Sequence, residues 1–180
     1  ERKEGVQSHL KKAGTPTMGG LIILMVIVVT SLLFIRQYPN IVPVLFLTVG
    51  FGIIGFLDDY LKVVMKRSDG LYPMQKMAGQ IVVTTVFLAY MLMVDDSFLT
   101  VLIPFSGGEY FDCKWITVPL VYIAVIGTVN GVNFTDGLDG LATGVTVMVA
   151  VFFTVVSAVF GGGIEPITAA VTGALLGFLL

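Results

Sequence analysis

Three short stretches of the chain bring together residue types that could do chemistry. In Gly55-Phe-Leu-Asp-Asp-Tyr-Leu-Lys62, the adjacent acids Asp58 and Asp59 close an apolar run. Acids at a helix C-terminal end oppose the macrodipole, which favours cations there by ~0.3–1 kcal/mol. Carried to mid-bilayer, an acid would cost ~3 kcal/mol on insertion scales. Successive helical side chains point about 100° apart, so the two acids are expected to do different jobs. In Asn130-Gly-Val-Asn-Phe-Thr-Asp-Gly-Leu-Asp-Gly-Leu-Ala142, Asn130 and Asn133 lie one turn apart on one helix face. The following Asp136-Gly137 and Asp139-Gly140 pairs are turn chemistry. In Lys11-Lys-Ala-Gly-Thr-Pro-Thr-Met-Gly-Gly20, Thr15 and Pro16 read as an N-cap and first helical residue. A helix N-terminus beside lysines is a ready anion site.

Each stretch also has a plain structural use. Thr15-Pro16 would start a helix with lysines as interfacial anchors, and Lys62 and Lys66 would balance a solvated acidic helix end. A single Asp-Gly pair would turn a hairpin. Two acids, two amides and a threonine in one short link, with no Lys or Arg to pair them, exceed what a hairpin needs.

The elements that must position these residues follow from the charges. Only 12% of the 180 residues are charged, 56% are hydrophobic, and mean hydropathy is +0.97; soluble domains carry roughly 25% charge. Residues 13–35, 37–57, 77–94, 115–135, 140–164 and 166–180 contain no Asp, Glu, Lys or Arg. Crossing a ~30 Å hydrocarbon core takes about 20 apolar residues, and unbroken apolar runs in lipid are helices. The spacing predicts an all-α polytopic integral membrane protein with six spans, near 18–35, 41–61, 76–94, 116–134, 141–160 and from 165 onward. It excludes a soluble globule, a disordered segment and a nucleic-acid binder. No linker divides the chain, so 1–180 is expected to be a single transmembrane catalytic domain. The lone Cys113 offers no internal disulfide.

Of the ten Lys and Arg, eight (Arg2, Lys3, Lys11, Lys12, Lys62, Lys66, Arg67 and Lys76) fall in segments on one side of these spans. Positive-inside bias makes that side cytoplasmic, and alternation puts the 136–140 link there too. All three polar stretches therefore meet at one membrane face. Mg²⁺ prefers one or two carboxylates plus waters and substrate phosphates, and phosphoryl transfer needs positioning and charge neutralisation above all. His9 is the only histidine, so no Ser-His-Asp set is available, and no Gly-rich P-loop occurs. The residues point to a Mg²⁺-dependent enzyme handling phosphate at the cytoplasmic surface, with one substrate dissolved in the bilayer.

Gly14-Thr-Pro-Thr-Met-Gly-Gly20, Gly55-Phe-Leu-Asp-Asp-Tyr60 and Asn133-Phe-Thr-Asp-Gly-Leu-Asp-Gly-Leu-Ala142, in this order and spacing, resemble the bacterial phospho-N-acetylmuramoyl-pentapeptide-transferase family. That family lies within the polyprenyl-phosphate N-acetylhexosamine-1-phosphate transferases. The resemblance implies a ten-helix bacterial inner-membrane enzyme with a cytoplasmic active site. It would move phospho-MurNAc-pentapeptide from UDP-MurNAc-pentapeptide to undecaprenyl phosphate in peptidoglycan synthesis, giving lipid I and UMP, with Mg²⁺ as cofactor. It implies catalytic roles for Asp58, Asp59 and Asp136, the first acid deprotonating or orienting the lipid phosphate. Asn133 is the metal-side candidate in this chain and, with Asp136, matches residues beside the diphosphate. Gly137, Leu138 and Asp139 match a uridine pocket. Lys12 and Thr17 match nucleotide contacts, and Lys62 and Lys76 match basic residues near the phosphates. Asn130 joins the substrate-binding set from its shared face with Asn133. The bilayer, the two substrates and a second copy of the chain are the candidate partners, with no nucleic acid among them.

The chain departs from the family pattern in lacking its later Met-Gly-Asp-x-Gly-Ser block, its His-rich loop and its leading helices. It is expected to be incomplete at both ends, and Gly131 stands where the family often has alanine. A UDP-GlcNAc:polyprenyl-phosphate GlcNAc-1-phosphate transferase is the nearest alternative, which the Thr-Pro-Thr-Met-Gly-Gly and Thr-Asp-Gly-Leu-Asp-Gly forms disfavour. An ion-coupled transporter would carry its ionisable groups near mid-bilayer on broken helices. Clean apolar runs with acids at their ends argue against it.

Overall fold

A computed structural model of the protein describes residues 19–67, 69–103, 106–135 and 140–179. Six helices account for nearly all of it: α1 (Gly19–Phe34), α2 (Ile41–Val63), α3 (Pro73–Val94), α4 (Thr117–Thr135), α5 (Leu141–Phe160) and α6 (Glu165–Leu179). Their limits follow the charge-free gaps closely, because a run without charges is a run that lipid accepts. Four of them, α2 to α5, are long and apolar enough to cross a membrane, whereas α1 and α6 are shorter at 16 and 15 residues. The chain is a multi-pass membrane protein.

Helices adjacent in sequence pack side by side, and α6 returns against α1 and α2. The α1–α6 and α5–α6 contacts are extensive, while α4 touches α5 only sparsely. A small core at Ile27, Ile41 and Ile167 ties α1, α2 and α6 together. At most 17% of any long span is buried within the protein, and Ile22, Met25, Leu33, Met93 and Phe160 face outward. In water such a surface would drive aggregation; in a bilayer it is the solvated face.

Five threonine hydroxyls inside the spans are satisfied by their own helices. Thr48, Thr84, Thr85, Thr146 and Thr154 each donate to the carbonyl four residues back, at 2.7–2.9 Å. The isolated charge between α5 and α6 has a similar explanation. Glu165 opens α6, where the helix dipole favours an acid, and accepts from Ser157 Oγ at 2.6 Å. Ser157 Oγ in turn accepts from the Ile164 amide at 3.0 Å, and Asn40 donates to the Gly162 carbonyl at 3.0 Å. This network closes the end of the bundle opposite Asp58.

The connection between α3 and α4 contains a feature the sequence reading did not foresee. Strands β1 (Thr100–Leu102) and β2 (Tyr110–Asp112) pair antiparallel, with Thr100 opposite Asp112. Gly140 sits at φ +78°, the left-handed region that glycine enters without strain.

Candidate active site

The last turns of α2 and α4 and the first turns of α3 come together at the lysine-rich end of the bundle. Between them lies a cavity of about 630 Å³ with Asp58, Lys62, Asp69, Lys76, Asn130 and Asn133 in its wall. Pro73, Met77, Ile126 and Phe134 give the cavity an apolar side. Five residues singled out from sequence thus share one wall, although they span 75 positions between Asp58 and Asn133.

Asp58 is the buried member, at 9% exposure. Its Oδ2 accepts from Lys62 Nζ at 2.6 Å, one turn along α2. Its Oδ1 accepts from the Leu71 amide at 2.8 Å, so the carboxylate also anchors the α2–α3 connection. That connection bends back tightly. Lys66 and Gly70 both take positive φ, at +53° and +61°. A Cβ on Gly70 would lie 2.5 Å from Asp58 Oδ1 and 2.6 Å from Lys62 Cε. Only a residue without a side chain lets the backbone come this close. Arg67 lies over the Tyr72 ring at 5.0 Å and donates to its hydroxyl at 3.0 Å. Pro73 then starts α3 behind Tyr72, whose amide donates to Gln75 Oε1 at 3.2 Å.

Asp59 points elsewhere, as the 100° step requires. It is exposed and lines a separate, mostly apolar cavity of about 320 Å³ between α1 and α2, with Gly20, Leu24, Thr48, Gly55 and Phe56. The paired acids therefore line different cavities. Lys62 keeps about 43% of its side chain exposed while paired, Lys76 is half-buried and Asn133 is exposed. Lys12, Thr17, Asp136, Gly137, Leu138 and Asp139 lie outside the described residues.

Asn130 is committed within the fold. Its Nδ2 donates to Gln80 Oε1 and to the Ile126 carbonyl, both at 2.8 Å. Its Oδ1 accepts from Gln80 Nε2 at 3.4 Å. Gln80, 1% exposed, was missed from sequence, although a lone amide inside a charge-free span is the signal that could have found it. Asp69 was missed as well, being one of several charges in a polar connection.

Chemically, the cavity offers two ammonium groups for phosphate oxygens, carboxylate and amide oxygens for a hard cation, and an apolar wall. Among the described residues no three of His, Cys, Asp or Glu converge into a metal cage. Asp58, Asp69 and Asn133 are the oxygen donors that could serve one jointly with a substrate.

Comparison with known proteins bears on this arrangement. The profile of glycosyl transferase family 4 matches residues 41–180, and signature 1 of the phospho-N-acetylmuramoyl-pentapeptide-transferases matches residues 12–24. Curated proteins named phospho-N-acetylmuramoyl-pentapeptide-transferase are similar over 99% of this chain. That of Acetivibrio thermocellus is 45% identical over 181 residues, 54% of its own length. That of Caldicellulosiruptor bescii is 43% identical, with 55% of its length covered, and that of Bacillus subtilis is 41% identical, with 56% covered. The chain spans about half the length of the curated relatives it matches.

Proposed function

The chain belongs to glycosyl transferase family 4, and on that premise we propose that it forms part of a Mg²⁺-dependent phosphoglycosyl transferase of the bacterial inner membrane. The enzyme transfers phospho-MurNAc-pentapeptide from UDP-MurNAc-pentapeptide to undecaprenyl phosphate. A lipid phosphate oxygen bonds to the sugar-bearing phosphorus as the bond to the UMP phosphate breaks, leaving lipid I and UMP. The observation that carries this reading is the cavity at the ends of α2, α3 and α4, where Lys62 and Lys76 face the same space as Asp58, Asp69 and Asn133. The muramoyl signature at residues 12–24 supports the choice of nucleotide sugar.

In this account Lys62 and Lys76 neutralise the phosphate groups, which is the main requirement of phosphoryl transfer. Asp58 holds the Lys62 ammonium and the Leu71 amide in place, so its role is to orient the phosphate through Lys62. Asn133, exposed at the end of α4, offers an amide to the diphosphate. The apolar wall of Pro73, Met77, Ile126 and Phe134 suits a substrate that is half lipid. The donor chemistry also fits Mg²⁺, which takes one or two carboxylates and completes its shell with water and substrate phosphate. Asp58, Asp69 and Asn133 would hold the ion, which when bound would screen the charge on the diphosphate. The grouping of Lys62, Lys66, Arg67 and Lys76 on this face supports a cytoplasmic site, by the positive-inside bias of membrane proteins.

The test is transfer of label from UDP-MurNAc-pentapeptide to undecaprenyl phosphate by the protein expressed from its complete reading frame, with and without Mg²⁺. UMP release that requires the muramoyl nucleotide and the ion is expected. Equal release from UDP-GlcNAc would replace the substrate assignment, and full activity in chelator would remove the metal.

A further inference from the structure

Gln80 lies two turns into α3, in a stretch with no formal charge, and its side chain is wholly enclosed. An enclosed carboxamide is tolerated only where its donors and acceptor are met. Here the partner is another carboxamide. Gln80 and Asn130 exchange hydrogen bonds in both directions, at 2.8 and 3.4 Å. With its second N–H given to Ile126, Asn130 has both donors used and retains only one lone pair on Oδ1. It therefore has little left to offer a substrate.

The location of this clasp matters more than its strength. Lys76 lies one turn before Gln80 on α3, and Asn133 one turn after Asn130 on α4, so each shares a helix face with its clasp residue. Both line the cavity. Further along the same helix pair, Thr85 Oγ1 and Tyr122 Oη meet at 2.6 Å. Polar side chains join neighbouring helices in lipid, where apolar contact does not distinguish a helix from the bilayer. The Thr85–Tyr122 contact lies away from the site, whereas the Gln80–Asn130 pair borders it.

We infer that Gln80 is a positioning residue of the site, its carboxamide clasping Asn130 so as to set the separation between Lys76 on α3 and Asn133 on α4. Asn130 acts through the same clasp and not on the substrate. The inference rests on the transferase reading for its catalytic consequence, but the clasp can be measured without it.

The experiment uses the protein from its complete reading frame with Cys113 and every other native cysteine replaced by serine, spin-labelled at the exposed positions 74 on α3 and 132 on α4. Gln80→Leu is expected to shift or broaden the label distance, and the exchange Gln80→Asn/Asn130→Gln to restore it. In unlabelled protein, Gln80→Leu is expected to lower kcat/KM for UDP-MurNAc-pentapeptide at least tenfold, chiefly through KM. The exchange variant should recover a third or more of the wild-type value, and Thr85→Val should stay within twofold. An unchanged label distance in Gln80→Leu would overturn the clasp. A kcat/KM within threefold of wild type, or equal loss in Thr85→Val, would overturn its role at the site. If wild-type protein released no UMP from the muramoyl nucleotide, the transferase reading would fail, and the distances would judge the clasp alone.

Discussion

Replacing Gly70 with alanine tests how the α2–α3 connection holds the acid at the site. The backbone there stands at φ +61°, a conformation that costs an L-residue roughly 1–2 kcal/mol. The new Cβ would lie 2.5 Å from Asp58 Oδ1, the same oxygen that accepts from the Leu71 amide. The carboxylate must move, and a hydrogen bond to a charged group is worth roughly 1.5–3 kcal/mol. Together these disfavour the docked connection by about 3 kcal/mol, or about a hundredfold in its equilibrium at 1.4 kcal/mol per decade. Hydrogen exchange reads that equilibrium directly: protection of the Leu71 amide should fall by about two orders of magnitude, and transfer activity should fall with it. Gly173→Ala is the control, because nothing lies within 4 Å of the added methyl group and alanine favours a helix by up to ~1 kcal/mol. Leu71 protection within threefold of wild type in Gly70→Ala would refute the reasoning.

Three further outcomes follow from the same geometry. Asp58→Asn keeps an acceptor for Leu71 but presents an amide or a neutral oxygen to the Lys62 ammonium, so turnover should drop more than tenfold with helix content unchanged; near-normal turnover would take the acid out of the mechanism. Lys76→Met removes one charge-assisted phosphate contact of roughly 1.5 kcal/mol, so KM for the nucleotide sugar should rise about tenfold, and an unchanged KM would place the phosphates elsewhere. Ser31 is fully buried and its hydroxyl meets no partner among the described residues. Relieving an unpaired hydroxyl is worth about 1 kcal/mol or more, so Ser31→Ala should raise the melting temperature by about 2–4 °C, whereas a fall would show that the hydroxyl is bonded.

The helices were legible because a bilayer is a strict solvent: where charge is excluded for the length of a span, the chain has no alternative to a helix. The gathering of Asp58, Lys62, Lys76, Asn130 and Asn133 was legible for a related reason. Charged groups in such a chain are confined to span ends, and alternating spans send every second end to the same face. The divergence of Asp58 and Asp59 followed from helical geometry alone. Counting charges could not reveal Gln80, which carries none, and its role depends on a partner 50 positions away. Asp69 stood among ordinary loop charges until the turn at Gly70 brought its segment onto Asp58. The strands at Thr100–Leu102 and Tyr110–Asp112 were hidden because three residues are too few to show an alternating pattern.

The central claim is that nucleotide phosphates enter the space between α2, α3 and α4 from the cell interior. Met77 lines that space and is 40% exposed, so Met77→Cys in a background with Cys113 and every other native cysteine replaced by serine reports on it. A membrane-impermeant maleimide should label this thiol in inside-out vesicles but not in intact cells, and UDP-MurNAc-pentapeptide should slow the labelling at least tenfold. Labelling from outside intact cells, or a rate indifferent to the nucleotide, would contradict the account.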